Sequence, residues 1–306
     1  MTMRVRLGIN TCFAVKRWPR PADWGPIVAD RLGLRLVEHS LDLVDLTARA
    51  VDEQARELVT AASAGGLQVN STFTGLAAYS SNMLLSPDPG TRASAKAWFR
   101  EAIAFTERIG GAATGGHVGA FSVPDWRAGP RREERWESLR ADLGELAGNA
   151  RAHGLGALLI ENLAAAREPS TMAMVRDLLT EGDPAHAPIR LALDVGHMCV
   201  AGTSGEDRDP YAWLRDLGRA AFEVQLQQSD AEGDHHWPFT PEANRRGRIE
   251  ADNVIDALGE GGVEDLALIL EIIPAFEQDD DSVLADLRAS VEYWAEMLTR
   301  RGVLAD

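Results

Sequence analysis

A (β/α)8 barrel, an α/β fold built on a parallel sheet, is predicted by three observations. Eight short apolar runs recur along the 306 residues, amphipathic segments separate them, and almost every run ends on a polar side chain. Each run is about as long as a strand buried on both faces. Strand alternating with helix, eight times over in a chain of this length, is the pattern of the barrel. No G-x-G-x-x-G follows the first run, which weakens the doubly wound, dinucleotide-binding alternative. No linker rich in Pro, Gly or Ser divides the chain, so residues 1–306 read as a single domain.

Taken in order, the first run, VRLGIN, ends at Asn10, and the second, LRLVEH from Leu34, at Glu38 and His39. The helical segment VDEQARELVTAASAGG follows and closes on glycine, as a helix C-terminus prefers. The third run, LQVNSTF from Leu67, carries Asn70 and Ser71. Beyond it, AAYSSNMLLSPDPG reads as a long, mobile-looking loop that could close over a substrate, and ASAKAWFREAIAFTERIGG as the next helix. The fourth run, AATGGHV from Ala112, reaches His117, and the helix RWESLRADLGELAGNARAHG leads to LGALLIE, which ends at Glu161. The sixth run, IRLALD, ends at Asp194, with His197 three residues on. The seventh, FEVQLQ, carries Gln225 and Gln227; the eighth, LALILE, ends at Glu271 before the helix DSVLADLRASVEYWAEMLTRRG.

Charge and composition narrow the partners. Lys plus Arg number 31 against 47 Asp plus Glu, a formal net charge of -16. Such a surface repels phosphate backbones and anionic lipid, so nucleic acid and membrane are not expected as partners. A small anionic substrate stays open, because a site can be locally positive. The two cysteines, Cys12 and Cys199, cannot build a disulfide framework. The start, MTMRVRLGINTCF, lacks a continuous apolar stretch of the signal-peptide kind. A cytoplasmic protein is the expectation. Trp18, Trp24 and Trp126, set in apparent loops, hint at an interface and hence a homo-oligomer.

In a barrel, the C-terminal strand ends converge on one face, where active sites sit. Glu161, Asp194 and Glu271 then point at one small volume. Unneutralised carboxylates repel strongly in a low dielectric, and a divalent cation removes the conflict. Read singly, each has a plainer explanation: a solvated glutamate, a helix-capping Asp194 or a hydrogen-bonded core His197. Equivalent placement on three strands favours a shared site. Oxygen donors with one imidazole suit Mn²⁺ or Mg²⁺ better than structural zinc.

The phrases LLIENL, LALDVGH and LILEI, in that order, resemble the xylose-isomerase-like TIM-barrel superfamily over nearly the whole chain. That group includes ketose 3-epimerases, sugar isomerases, inosose dehydratases and endonuclease IV type apurinic nucleases. The resemblance implies metal ligands at Glu161, Asp194 and Glu271, and a substrate contact at His197. The family usually adds a histidine on the seventh strand. Here EVQLQQSD places Gln225 or Gln227 there, a weaker oxygen donor. The loop phrases ENLAAAREPSTM and QLQQSDAEGDHHWPFTPE look similar to tetrulose-phosphate 3-epimerases, which interconvert L-erythrulose 1-phosphate and its D epimer.

The implied activity is an isomerase acting on a small sugar or sugar phosphate. A metal bridging a ketose carbonyl and its neighbouring hydroxyl would stabilise an enediolate. Glu161 and Glu271, on opposite walls, would remove and return the proton. Asn10, Ser71 and His117 are further substrate contacts at strand ends, and Asp234, His236 and Trp237 supply a pocket from the loop after the seventh run. In the nuclease relatives the Asp-x-His spacing of Asp234 and His236 binds a second metal; a substrate-pocket role is preferred here. A phosphate needs a cationic clamp, for which Arg167 and Arg245 are the candidates, with Arg246, Arg248, Lys16 and Arg17 behind them. The competing readings are another sugar isomerase or inosose-type dehydratase, an apurinic endonuclease, and a non-catalytic sugar-binding barrel.

Overall fold

The computed structural model describes residues 3–46 and 50–305. Eight parallel strands close into a barrel in the order of the chain, each pairing with the next and the last with the first. They are β1 (Arg4–Asn10), β2 (Leu36–Ser40), β3 (Gln68–Phe73), β4 (Ala113–Gly116), β5 (Ala157–Glu161), β6 (Ile189–Asp194), β7 (Ala221–Leu226) and β8 (Asp265–Leu270). Every apolar run of the sequence is therefore a strand. Among the described residues no helix is long and apolar enough to cross a membrane.

The helical layer begins with the short α1 (Pro21–Pro26), continued by a π-helical turn. It goes on through α2 (Val51–Gly65), α3 (Pro89–Arg108), α4 (Val123–Arg127), α5 (Gly129–Ala152) and α6 (Met172–Leu178). It finishes with α7 (Pro210–Leu217), α8 (Pro241–Arg246), α9 (Ala251–Glu260) and α10 (Asp280–Arg300). Side-chain oxygens cap several N-termini, as Asp88 does for α3 and Asp279 for α10. Two of the loop tryptophans are relocated. Trp24 lies within α1 and is wholly buried against His39, and Trp126 lies within α4, packed on Phe121. A buried indole offers nothing to a partner, so Trp24 cannot mark an interface.

Strand alternation sorts the side chains. Val5, Leu7 and Ile9 of β1, Leu158 and Ile160 of β5, Leu191 and Leu193 of β6, and Leu266, Leu268 and Leu270 of β8 join the large core between sheet and helices. The intervening residues face inward. Deep in the barrel these are small apolar clusters, Leu36 with Ala267 and Ile269, and Ala113 with Ala157 and Leu159. A Cβ on Gly115 would lie 2.0 Å from the Leu159 carbonyl oxygen, so glycine lets β4 close on β5. The same parity carries Asn10, Glu38, Glu161, Asp194, Gln225 and Glu271 to the inward face at the C-terminal rim. His39 has the opposite parity and lies outside, between Trp24 and Phe105.

Candidate metal and substrate centre

The rim residues are fully or almost fully buried. Oxygen atoms of Glu161, Asp194 and Glu271 all lie within 4.8 Å of one another. Each carboxylate is held by a neighbour. Tyr79, from the connection after β3, donates its hydroxyl to Glu161 Oε2 at 2.5 Å. Asn10 Nδ2 donates to Glu271 Oε1 at 3.1 Å and to Glu38 Oε2 at 2.7 Å. The backbone N–H of Gly196 donates to Asp194 Oδ1 at 2.6 Å, turning the chain sharply after β6. That turn is why a histidine follows Asp194 by three places. It returns the His197 ring to the β5 edge, where Nδ1 meets the Asn162 carbonyl at 2.7 Å.

Asn162 locks the two strand ends together. Its Nδ2 donates to the Asp194 carbonyl and its Oδ1 accepts from the Asp194 N–H, both at 2.9 Å. From the loop after β7, Asp234 Oδ2 stands 3.3 Å from His197 Nε2, and Asp234 Oδ1 lies 3.1 Å from His236 Nε2. The two imidazoles meet edge to face, 5.7 Å between centroids.

The electrostatics follow from burial and crowding. Burial, opposed by His197 but reinforced by Asp194, pushes Glu161 up to about 8. Burial, then Asp194 and Glu161, also raises Glu271 well above the usual carboxylate range. Burial alone would lower His197, but Asp194, Asp234 and Glu161 override it and push the ring well above its ordinary value. Burial likewise would raise Asp234, yet His197 and His236 hold it far below its ordinary value.

Among the described residues, two buried oxygens of this cluster, Glu161 Oε1 and Glu271 Oε2, have no hydrogen-bond partner, and neither does Gln225 Oε1 just beneath. Buried acceptors are normally satisfied. Three carboxylates gathered at one point, two of them with an orphaned oxygen, fit a hard divalent cation, for which oxygen donors are the natural shell.

The remaining predicted residues are placed as follows. Gln225 Nε2 donates to Glu38 Oε2 at 3.1 Å, and Gln227 Nε2 to Asp194 Oδ1 at 3.1 Å. A Cβ at Gly196 would lie 2.2 Å from Gln227 Cδ, so only glycine leaves room for this amide. Ser71 sits lower in the barrel, its hydroxyl on both oxygens of Glu223. His117 stacks under Tyr79 at 4.7 Å, and burial lowers it to about 4. Arg167 is half-buried and donates to the Phe121 carbonyl. Trp237 is sandwiched between the ring of His235 at 4.0 Å and the guanidinium of Arg246 at 4.4 Å. Arg245 is exposed on α8. Arg248 holds the carbonyls of Arg208 and Met198, Lys16 covers the Phe276 ring, and Arg17 pairs with Asp280.

Sequence reasoning missed Tyr79 and Asn162. Asn162 adjoins Glu161 and was visible as part of ENL, but nothing in its spacing announces a bridge across two strands. Tyr79 sits in the presumed loop, which is in fact two 3-10 turns, Leu76–Ser80 and Met83–Leu85, with Leu84 and Leu85 wholly buried.

Comparison with known proteins bears on this geometry. The family model described as xylose isomerase-like TIM barrel matches residues 27–296. The chain is 29% identical over 301 residues to the D-erythrulose 1-phosphate 3-epimerase of Brucella abortus (strain 2308), covering 96% of each chain. A candidate xylose isomerase from Rhodospirillum rubrum ATCC 11170 superposes with a TM-score of 0.87 at 32% identity, covering 95% of this chain and 99% of that one. The D-psicose 3-epimerase of Clostridium cellulolyticum H10 shares the fold, with a TM-score of 0.68 at 18% identity, over 96% of this chain and 99% of that one.

Proposed function

The chain belongs to the xylose isomerase-like TIM barrel family, and from that premise we propose that it is a divalent-metal-dependent ketose-phosphate 3-epimerase, folded as one domain over residues 1–306, that interconverts L-erythrulose 1-phosphate and D-erythrulose 1-phosphate. The observation that carries this is the pair Glu161 and Glu271, gathered with Asp194 inside one 4.8 Å cluster. The likeness to the Brucella abortus enzyme over 96% of both chains supports the substrate class.

Glu161, Asp194 and Glu271 would hold Mn²⁺ or Mg²⁺, with a further donor from the β7 side, the carbonyl oxygen of Gln225 or Gln227 or another group. When bound, the ion polarises the ketose oxygens as a Lewis acid. The protein's own groups do the rest. Glu161 and Glu271 come from strands β5 and β8, on different walls of the barrel, so one removes the C3 proton and the other returns one from the opposite face. Both have raised proton affinity, as a group exchanging protons near neutral pH requires. Tyr79 steadies Glu161 and Asn10 steadies Glu271. His197, buried and raised by its carboxylate neighbours, would donate to a substrate oxygen. His117, Asp234, His236 and Trp237 would contact the substrate, and Ser71 holds Glu223 deeper in the barrel. Arg167 and Arg245 are the candidate partners of the phosphate.

The test is proton NMR in D₂O with Mg²⁺ and L-erythrulose 1-phosphate. Deuterium should appear at carbon 3 together with the D epimer, and exchange should vanish in Glu161→Gln and Glu271→Gln. A wild-type protein that binds the sugar phosphate but never exchanges its proton is a binding barrel and not an epimerase.

A further inference from the structure

We propose that His236 supplies the nitrogen ligand of the cation held by Glu161, Asp194 and Glu271, and that Gln227 is the brace that aims it. The inference rests on the metal-dependent reading above. Ligand atoms of Asp194, His197 and His236 lie within 4.8 Å of one another, as do those of Glu161, Asp194 and Glu271; Asp194 belongs to both groups. Asp194 links the two groups, and His236 Nδ1 lies 3.8 Å from Glu271 Oε2, so an ion on the carboxylates would have the His236 ring as its neighbour.

The ring is set for this task. His236 Nδ1 lies 3.2 Å from the Glu271 carbonyl oxygen, and Nε2 lies 3.1 Å from Asp234 Oδ1; with the ion bound, Nδ1–H would donate to that carbonyl and leave the Nε2 lone pair to the metal. A ligating histidine commonly fixes its tautomer by donating its other N–H to a carbonyl or carboxylate. His236 also has φ +48°, a left-handed backbone that a non-glycine residue keeps only when its surroundings impose it. Here Gln227 imposes it, since its Oε1 accepts the His236 N–H at 2.6 Å. On the flank, Trp237 exchanges two backbone hydrogen bonds with Gln228, at 2.9 and 3.0 Å.

The Gln227 amide also shows where positive charge is wanted. Its Nε2 stands 3.1 and 3.2 Å from the two Asp194 oxygens, 2.8 Å from Asp234 Oδ1 and 3.3 Å from His236 Nε2. Two N–H protons face four acceptors, three of them oxygens of two carboxylates. Gln227 Oε1 already accepts the His236 N–H, so its amide is engaged as a brace on the ring. Its partners have capacity to spare.

The experiment is Mn²⁺ binding by the chelator-stripped full chain, followed by electron paramagnetic resonance. The pulsed form reads nitrogen coupling to the bound ion, identified by ¹⁵N-histidine labelling. Wild type should show one coupled histidine nitrogen. His236→Gln should lose it and weaken binding by at least about tenfold, while Gln227→Ala should weaken binding on the order of 10- to 100-fold, as loss of an outer-shell support does. His197→Gln should keep the coupling. Absence of any Mn²⁺ binding in wild type overturns the metal-dependent reading itself. Binding that is abolished in Asp194→Asn, yet shows no histidine nitrogen or keeps it in His236→Gln, overturns the role of His236 alone. The wild-type spectrum decides the matter if His236→Gln does not fold.

Discussion

Tyr79 gives the residue scale its sharpest prediction. A hydrogen bond to a charged group contributes about 1.5–3 kcal/mol. Tyr79→Phe should therefore lower kcat by about 10- to 100-fold through Glu161, with a smaller change in KM; steady-state kinetics on the sugar phosphate would separate the two. An unchanged kcat would reduce Tyr79 to a packing residue. Glu161, Asp194 and Glu271 were legible in the sequence because each ends an apolar run that has no packing use for a carboxylate. Tyr79 and Asn162 were not, since they act through loop geometry and cross-strand bonds that no periodicity encodes. His39 shows the limit of the strand-end argument. It adjoins Glu38 at a strand end, yet one step along a strand reverses the facing, and it packs among aromatics outside the barrel.

At the scale of elements, the eight strands could be read from apolar run length and the helices from their amphipathic spacing. The connections could not. The segment after β3, open in the sequence to reading as a closure or as an ordinary long loop, makes hydrogen bonds to its neighbours. Asp42, beyond β2, accepts from the Leu76 N–H at 2.5 Å and the Ala77 N–H at 3.0 Å, and Asn82 Nδ2 donates to the Ala120 carbonyl at 2.5 Å. Gly75, at φ +75°, has no room for a Cβ beside the Asp42 carboxylate, which lies 2.6 Å away. Asp42→Ala should thus free residues 76–82 and loosen Tyr79 from Glu161. Hydrogen exchange of that segment should accelerate while the global melting temperature moves by no more than a few degrees. Unaltered exchange would show that the buried Leu84 and Leu85 hold the segment by themselves.

The whole molecule concentrates acid at the barrel mouth, and its stability should depend on pH and on metal. Glu161 has a folded value of about 8 against about 4.3 in an unfolded chain, so the folded state binds the extra proton between those values. Its contribution is present below the unfolded value and is lost as pH rises through about 8. His197, raised by its carboxylates, acts in the same direction. His39, pushed down to about 3 by burial, acts oppositely: its contribution is present above about 6.5 and is lost as pH falls toward 3. Above pH 6.5 the first effect acts alone. Chemical denaturation of the metal-free chain should show stability falling from pH 6.5 to 8.5, by up to about 1.4 kcal/mol per pH unit for each proton released. Glu161→Gln should flatten that slope. Mn²⁺ at a hundred times its Kd should add about 2.7 kcal/mol; no change in the denaturation midpoint would mean that the cluster holds no ion.

Asn10 and Glu271 touch across 261 positions of chain, because β8 closes on β1. A ribosome must therefore carry synthesis through β8 before the proposed cation site can form. During synthesis the early strands carry Asn10 and Glu38 with no partner from β8, and chaperones would meet an open sheet whose two edges await each other. On the proposed metal reading, ion binding would report closure of the barrel: a nascent chain stalled before Glu271 should bind none, and one synthesised past β8 should acquire it in the step that joins β8 to β1.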